Sequence, residues 1–140
     1  MINNLNDFNR NLGEIMMYSQ FIEHDIKEIY ASILGGPKEQ NYENIKMMTL
    51  GEAILNMQEL DIRRKMGLFS IDEYLDLKQI TKIRNYWAHS AYNDFAYNDD
   101  ETYYKLTCKR LEKDIAKLSY IQNYIEEKKV KLENEKYGKN

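Results

Sequence analysis

A short segment in the second half of the chain combines three side chains that can do chemistry. Arg84, Asn85 and His89 lie within the run Ile83-Arg84-Asn85-Tyr86-Trp87-Ala88-His89-Ser90. On an ideal helix Arg84 and His89 are about 140° apart around the axis and about 7.5 Å apart along it, so one straight helix does not converge them. Asn85 and His89 are four residues apart, share a face and can touch. A symmetric dimer can bring an arginine and a histidine from each chain into one cleft.

These side-chain types suit the cleavage of RNA by the 2′-hydroxyl of its own ribose. Histidine, with an unperturbed pKa near 6.5, can take the hydroxyl proton and protonate the leaving 5′-oxygen near neutrality. The planar fork of arginine matches phosphate oxygens and stabilises charge that develops at phosphorus. Such a reaction needs no metal. The structural alternative is that Arg84 forms a salt bridge in the bundle and His89 interacts with a helix C-terminus.

The same residues resemble the HEPN superfamily, in which arginine, four residues and histidine lie near the end of the third helix of a small helical bundle. The resemblance is narrower to the mannitol-repressor-like branch, over residues 49–51, 66–70, 83–90 and 95–101. It implies that Arg84 and His89 are catalytic, with Asn85 as the polar residue that accompanies them. It also implies a homodimer formed around this helix.

The resemblance leaves two kinds of function open. Many members of the superfamily are metal-independent endoribonucleases of toxin–antitoxin or phage-defence systems, which implies an RNA substrate, no cofactor, and a cognate antitoxin or other protein partner. The mannitol-repressor-like branch implies instead a non-catalytic regulatory or protein-interaction module.

Residues around the segment are candidates for supporting roles. Lys78 and Lys82 can form a modest basic rim, and Tyr92 can stack on an unpaired base. Ile80 and Trp87 are candidate dimer contacts, although their helical spacing also suits a core position. Charge on an exposed helix face often does no more than solvate it.

Two further groups of residues have a structural interpretation that we favour. His24, Asp25 and Glu28 have one-turn spacing for metal ligands, but no second histidine or cysteine accompanies them, so we expect a solvated helix face and no metal. Cys108 lies on an apolar stripe without a neighbouring base, and we expect a small buried side chain rather than a nucleophile.

Composition limits the class of protein. The chain has 140 residues, one cysteine, and 20 Lys and Arg against 23 Asp and Glu, for a net charge of −3. This size predicts one domain over residues 1–140, and the charge excludes the broad cationic field of non-specific duplex binders. We expect a cytoplasmic protein, because no signal-like segment or apolar run long enough to span a membrane is present.

Apolar spacing predicts the helices that must position the segment. A stripe of three- and four-residue steps from Leu5 predicts a helix to Ile33, ended by residues 35–37, Gly-Gly-Pro. A second helical region is expected over 42–66, where residues 49–51 mark a break, a restart or close packing. A third helix begins after Ser70, residues 92–100 form a loop, and a last helix starts at Glu101, with a charged, frayed tail over 126–140. The expected fold is an all-α, antiparallel up-and-down four-helix bundle.

Overall fold

The computed structural model describes residues 2–96 and 101–137, with the side chains of 94–96 and 136–137 left undescribed. All regular structure in these ranges is helical, as the composition and spacing predict. The helices are α1 (Leu5–Ile33), α2 (Lys38–Ile45), α3 (Leu50–Arg64), α4 (Ile71–His89), α5 (Ala91–Ala96) and α6 (Glu101–Tyr137).

Helix α1 has the bounds that the sequence predicts. Its start is capped by Asn4, whose Oδ1 accepts from the backbone N–H of Asp7 at 2.9 Å, a type of cap that stabilises a helix by about 1 kcal/mol. Its end precedes Gly35 and Gly36, which have φ of 86° and 79°. These left-handed conformations favour glycine because it lacks a Cβ.

The second predicted helical region is two helices that run in opposite directions. Asn41 Nδ2 donates to Ala31 O at 3.1 Å and Lys27 Nζ donates to Lys46 O at 2.9 Å, so α2 is antiparallel to α1. Arg64 contacts Ile33 O, so α3 is parallel to α1. The restart is the alternative that applies near residues 49–51, because Thr49 caps α3 through the N–H of Glu52 at 3.1 Å.

The expected four-helix bundle has one helix where the structure has α2 and α3. The extra reversal therefore inverts the expected directions of α4 and α6 relative to α1. Glu23 pairs with Arg84, and the Phe8 ring contacts the Trp87 ring at 6.3 Å, so α4 is antiparallel to α1.

Helix α6 is instead parallel to α1. The Ile2 N–H donates to Glu112 Oε1 at 3.0 Å, and Asp25 pairs with Lys129 at 3.1 Å. The all-α class is confirmed. The count of four helices is wrong, because the described residues form six.

A buried aspartate joins α3 to α4. Asp61 accepts hydrogen bonds from the backbone N–H of Leu68 at 3.0 Å and of Phe69 at 3.3 Å, and from Tyr74 Oη at 2.7 Å. Burial, together with the hydrogen bond and charge of Asp61, raises the pKa of Tyr74. The buried Asp61 carboxylate therefore anchors the loop between α3 and α4, and this loop sets where α4 starts.

The chain after α4 departs from the sequence prediction at two places. The predicted loop over 92–100 is helical to Ala96, and residues 97–100 lie outside the described residues. The tail predicted to fray from residue 126 is helical to Tyr137. Lys129 holds this end of α6 against Asp25 and Glu28 at 3.1 Å each, which explains why the charged segment stays attached.

The core follows the predicted stripes. Its largest fully buried side chains include Trp87, Phe8, Ile15, Ile22, Met57, Leu77 and Ile80. Cys108 is buried as expected, and burial raises the pKa of its thiol. None of the described helices is long and apolar enough to cross a bilayer.

Candidate active site

A reciprocal cap fixes the start of the helix that carries the candidate residues. Ser70 Oγ accepts from the Glu73 N–H at 3.1 Å, and the Glu73 carboxylate accepts from the Ser70 N–H at 2.8 Å. This capping box satisfies two N–H groups that a helix start leaves unpaired, and it confirms the predicted start of α4. Arg84, Asn85 and His89 all lie in the last two turns of this helix.

The inward face of α4 belongs to the protomer core. Ile80 is 0% exposed and Trp87 is 2% exposed, and the Trp87 indole N–H donates to Asp114 Oδ2 at 2.8 Å. Side chains buried to this degree offer almost no area to a second copy. Their placement favours the core position over a dimer contact for Ile80 and Trp87, and Asp114 explains how the buried indole is satisfied.

Arg84 is held by a carboxylate from α1. Its guanidinium Nη1 lies 3.3 Å from Glu23 Oε1, and the Arg84 side chain remains 32% exposed. A pair this exposed contributes only about 0–1 kcal/mol to stability, and its contact directs the guanidinium toward α1. Since arginine carries five N–H donors, a single carboxylate oxygen leaves others available to an anion.

The second oxygen of Glu23 binds a buried lysine. Lys27 Nζ lies 2.7 Å from Glu23 Oε2 and donates to Lys46 O at 2.9 Å, and its side chain is only 5% exposed. Two cations therefore share one carboxylate, which leaves the group Lys27–Glu23–Arg84 with a formal charge of +1. A buried ammonium without such partners would be costly.

Asn85 and His89 lie on a different face of α4 from Arg84. Both side chains are exposed, as their four-residue spacing predicts. Within the described part of the chain no hydrogen bond joins them, so the expectation that Asn85 orients the histidine ring stays a prediction. The imidazole of His89 is open to a ligand.

The remaining candidate residues extend this exposed face or lie beyond it. Lys78 and Lys82 are exposed on the stripe that also carries Asn85 and His89, and neither forms an ion pair with the residues described. Tyr92 is 49% exposed and donates its hydroxyl to Asn9 Oδ1. Its ring also contacts Phe8 edge-on at 6.1 Å. Tyr92 is thus held against α1, with about half of its surface free.

Two residues of the site were missed by reasoning from the sequence. Glu23 and Lys27 are four residues apart on α1, beside the apolar stripe, and this spacing is a common signal of a helical ion pair. The sequence gives no sign that the pair faces Arg84, which lies 61 residues further along the chain. Only the packing of α4 against α1 brings the three side chains together.

The candidate metal ligands already form ion pairs with a lysine side chain. Ligand atoms of His24, Asp25 and Glu28 lie within 4.8 Å of one another. Lys129 Nζ lies 3.1 Å from a carboxylate oxygen of both Asp25 and Glu28, where it offsets one of their two negative charges. Burial alone would raise the pKa of Glu28, but the hydrogen bond and charge of Lys129 outweigh it and lower that pKa. Asp25 is only 7% exposed, so this group is an ion-paired contact between α1 and α6 rather than the solvated helix face that the sequence predicts.

Comparison with family models, curated proteins and solved structures found no match to this chain. The geometry itself joins Arg84, Glu23 and Lys27 in one network and leaves Asn85 and His89 exposed on another face of α4.

Proposed function

We propose that this protein is a HEPN-type, metal-independent endoribonuclease. The observation that carries the proposal is the Lys27–Glu23–Arg84 network, which holds a guanidinium in a fixed direction on the helix that exposes His89. A fixed guanidinium with free donors suits the stabilisation of charge that develops on a phosphate. An exposed imidazole on the same helix suits proton transfer.

The reaction follows from these two groups. One histidine takes the proton of the ribose 2′-hydroxyl, and the 2′-oxygen forms a bond to phosphorus. Arg84 stabilises the pentacovalent phosphate, the bond from phosphorus to the 5′-oxygen breaks, and the leaving oxygen receives a proton from a second histidine or from water. The products are a 2′,3′-cyclic phosphate and a 5′-hydroxyl end.

The position of the two groups on α4 makes a homodimer part of the proposal. Arg84 and His89 point about 140° apart on one helix, so a single protomer does not direct both at one phosphate. Two copies related by a two-fold axis would supply an arginine from one chain and a histidine from the other. Lys78, Lys82 and Tyr92 would contact the flanking RNA, and a toxin–antitoxin or phage-defence setting with a cognate antitoxin fits such an enzyme.

A cleavage assay with matched variants tests the proposal. We expect purified wild-type protein to cut mixed cellular RNA equally well with and without a chelator, leaving 2′,3′-cyclic phosphate ends. Arg84→Ala and His89→Ala should each lower the rate by about a hundredfold or more.

The chain supplies its own controls for this assay. His24 is the other of its two histidines, and Arg63 is an exposed arginine of α3. His24→Ala and Arg63→Ala should cleave like the wild type. Equal cleavage by wild type and His89→Ala at high protein concentration would contradict catalysis by this site.

One observation favours the second candidate, a non-catalytic regulatory or protein-interaction module. Large apolar side chains are exposed along one face of α3 and at the start of α4, with Leu55 at 55%, Ile62 at 68%, Ile71 at 77% and Leu75 at 53%. Exposed apolar patches mark interaction surfaces.

Under this function RNA stays intact, and Arg84→Ala weakens a dimer, which sedimentation would detect. A variant that stays fully dimeric would count against a role of Arg84 at a dimer contact.

A further inference from the structure

An exposed arginine of α6 covers the aromatic side chain next to the candidate site. The guanidinium carbon of Arg110 lies 3.7 Å from the centre of the Tyr86 ring and 5.8 Å from that of Trp87. Arg110 forms no ion pair or hydrogen bond with the residues that the structure describes. Its guanidinium therefore packs against ring faces, and the Arg110 side chain remains exposed.

The rings beneath Arg110 are held in place. Tyr86 contacts Trp87 edge-on, with ring centres 4.8 Å apart and planes at 86°. Trp87 is buried and donates its indole N–H to Asp114 Oδ2 at 2.8 Å. Asp114 lies four residues after Arg110 along α6, and this hydrogen bond engages one of its oxygens. The guanidinium thus rests on a support that is already ordered.

The position of Tyr86 places this support beside the catalytic candidates. Tyr86 follows Lys82 by four residues and precedes His89 by three, and residues at these spacings are neighbours on a helix surface, with Cβ atoms about 5–6 Å apart. Lys113 lies one turn beyond Arg110 on α6, and it is exposed. Arg110 therefore covers a side chain that neighbours both Lys82 and His89 on the surface of α4.

We propose that Arg110, supported by Tyr86, is a substrate-binding residue that stacks on an unpaired base of the RNA next to the nucleotide to be cut. This inference rests on the proposed function, to which it adds a preference for single strands. Proteins recognise unpaired bases by stacking them on aromatic rings or on guanidinium planes, and a duplex does not offer such a base. The Arg110 guanidinium packs against the Tyr86 ring and its side chain is exposed, so that it can also contact a base.

Direct binding measurements test the assignment apart from cleavage. The protein is a His89→Ala variant, so that RNA is not consumed. The probes are a fluorescent single-stranded oligoadenylate and an abasic sugar-phosphate strand of equal length. We expect Arg110→Ala to weaken binding of oligoadenylate about tenfold and to change binding of the abasic strand much less, because only the first probe has bases to stack.

Two further variants separate stacking from charge and from folding. Arg110→Lys keeps the charge without the plane, and it should bind oligoadenylate almost as weakly as Arg110→Ala. Arg63→Ala removes an exposed arginine of α3 and should bind both strands like its parent. Circular dichroism melting shows whether each variant is folded. If Arg110→Ala is not folded, the binding of Arg110→Lys decides whether Arg110 stacks on a base.

Three outcomes would overturn the assignment. They are unchanged binding by Arg110→Ala, equal losses on the two strands, and no binding of oligoadenylate by the parent. None of them bears on the proposed nuclease, which the cleavage assay decides. Conversely, stacking by Arg110 without any cleavage by the wild type would sustain the base-stacking role of Arg110 and remove the nuclease.

Discussion

At the scale of single residues, each of the two carboxylate oxygens of Glu23 binds a different cation. One oxygen fixes the direction of Arg84 at 3.3 Å, and the other satisfies the buried ammonium of Lys27 at 2.7 Å. The first contact concerns the proposed chemistry, and the second concerns folding. Substitution of Glu23 alone would disturb both, so a test must separate them.

A double substitution makes this separation. Glu23→Ala leaves the buried Lys27 ammonium with only Lys46 O, and we expect a loss of about 1–3 kcal/mol in the free energy of unfolding, measured in urea. Adding Lys27→Met removes the stranded charge and should restore most of that stability, as replacement of buried ion pairs by apolar side chains often does.

RNA cleavage should respond differently. The Glu23→Ala/Lys27→Met protein should stay slow at cutting RNA, because Arg84 has lost the carboxylate that directs it. Full recovery of cleavage together with stability would show that Glu23 has no role in positioning. Glu43→Ala, which breaks an exposed pair with Lys46, is the control and should change neither property.

At the scale of elements, ion pairs attach the C-terminal part of α6 to α1. Lys129 lies between Asp25 and Glu28, and its side chain is 23% exposed. Burial alone would lower the pKa of Lys129, but the hydrogen bonds and charges of Glu28 and Asp25 outweigh it and raise that pKa. The opposite signs of the Glu28 and Lys129 shifts fix the pH range in which the attachment stabilises the fold.

The attachment should depend on pH as follows. The pKa of Glu28 is lowered in the folded protein, so its stabilisation is present above its ordinary pKa of 4.5 and is lost as the pH falls through the lowered value. The Lys129 contribution is present below its ordinary pKa of 10.5 and is lost as the pH rises through the raised value. The cluster therefore stabilises the fold most between these limits.

Substitution of the lysine reveals this dependence. We expect Lys129→Met to lower the free energy of unfolding by about 1–2 kcal/mol at neutral pH and by clearly less in acid, where Glu28 is protonated. Urea titrations at both pH values measure the difference. Lys46→Met, which removes an exposed pair, should have little effect at either. An equal loss for Lys129→Met at the two pH values would contradict the assignment.

At the scale of the whole molecule, the proposed reaction requires two copies of the chain. Arg84 faces α1, whereas His89 faces solvent on another side of α4. Because one protomer does not direct both groups at one phosphate, a protomer that lacks one group should be rescued by a second protomer that supplies it. This property distinguishes a shared cleft from two independent sites.

Mixing two inactive variants tests for a shared cleft. If the protein is the proposed homodimer, Arg84→Ala and His89→Ala proteins that are unfolded and refolded together should form mixed dimers, each with a single Arg84 and a single His89. We expect such a mixture to regain a measurable part of RNA cleavage, while each variant refolded alone stays inactive. Mass spectrometry verifies that mixed dimers are present. Verified mixed dimers without cleavage would contradict the two-copy mechanism.

Local patterns in the sequence were enough to predict several helix ends. The stripe of α1 with Gly35 and Gly36 after it, and the capping box of Ser70 and Glu73, predicted their helices correctly because caps and stripes depend on residues within one or two turns. The reversal between α2 and α3 was not resolved, since three local alternatives fit residues 49–51. The helical tail was also missed, because its ion pairs join α6 to a helix some 100 residues earlier.

The sequence by itself determined that the chain is helical, and it singled out Arg84, Asn85 and His89 by type and spacing. Only the tertiary structure decided which faces of α4 are buried, which moved Ile80 and Trp87 into the core, and which residues meet Arg84 and Tyr86. The physical reason is that helical periodicity is a local property, whereas ion pairs and ring contacts between helices depend on the order and direction in which the helices pack.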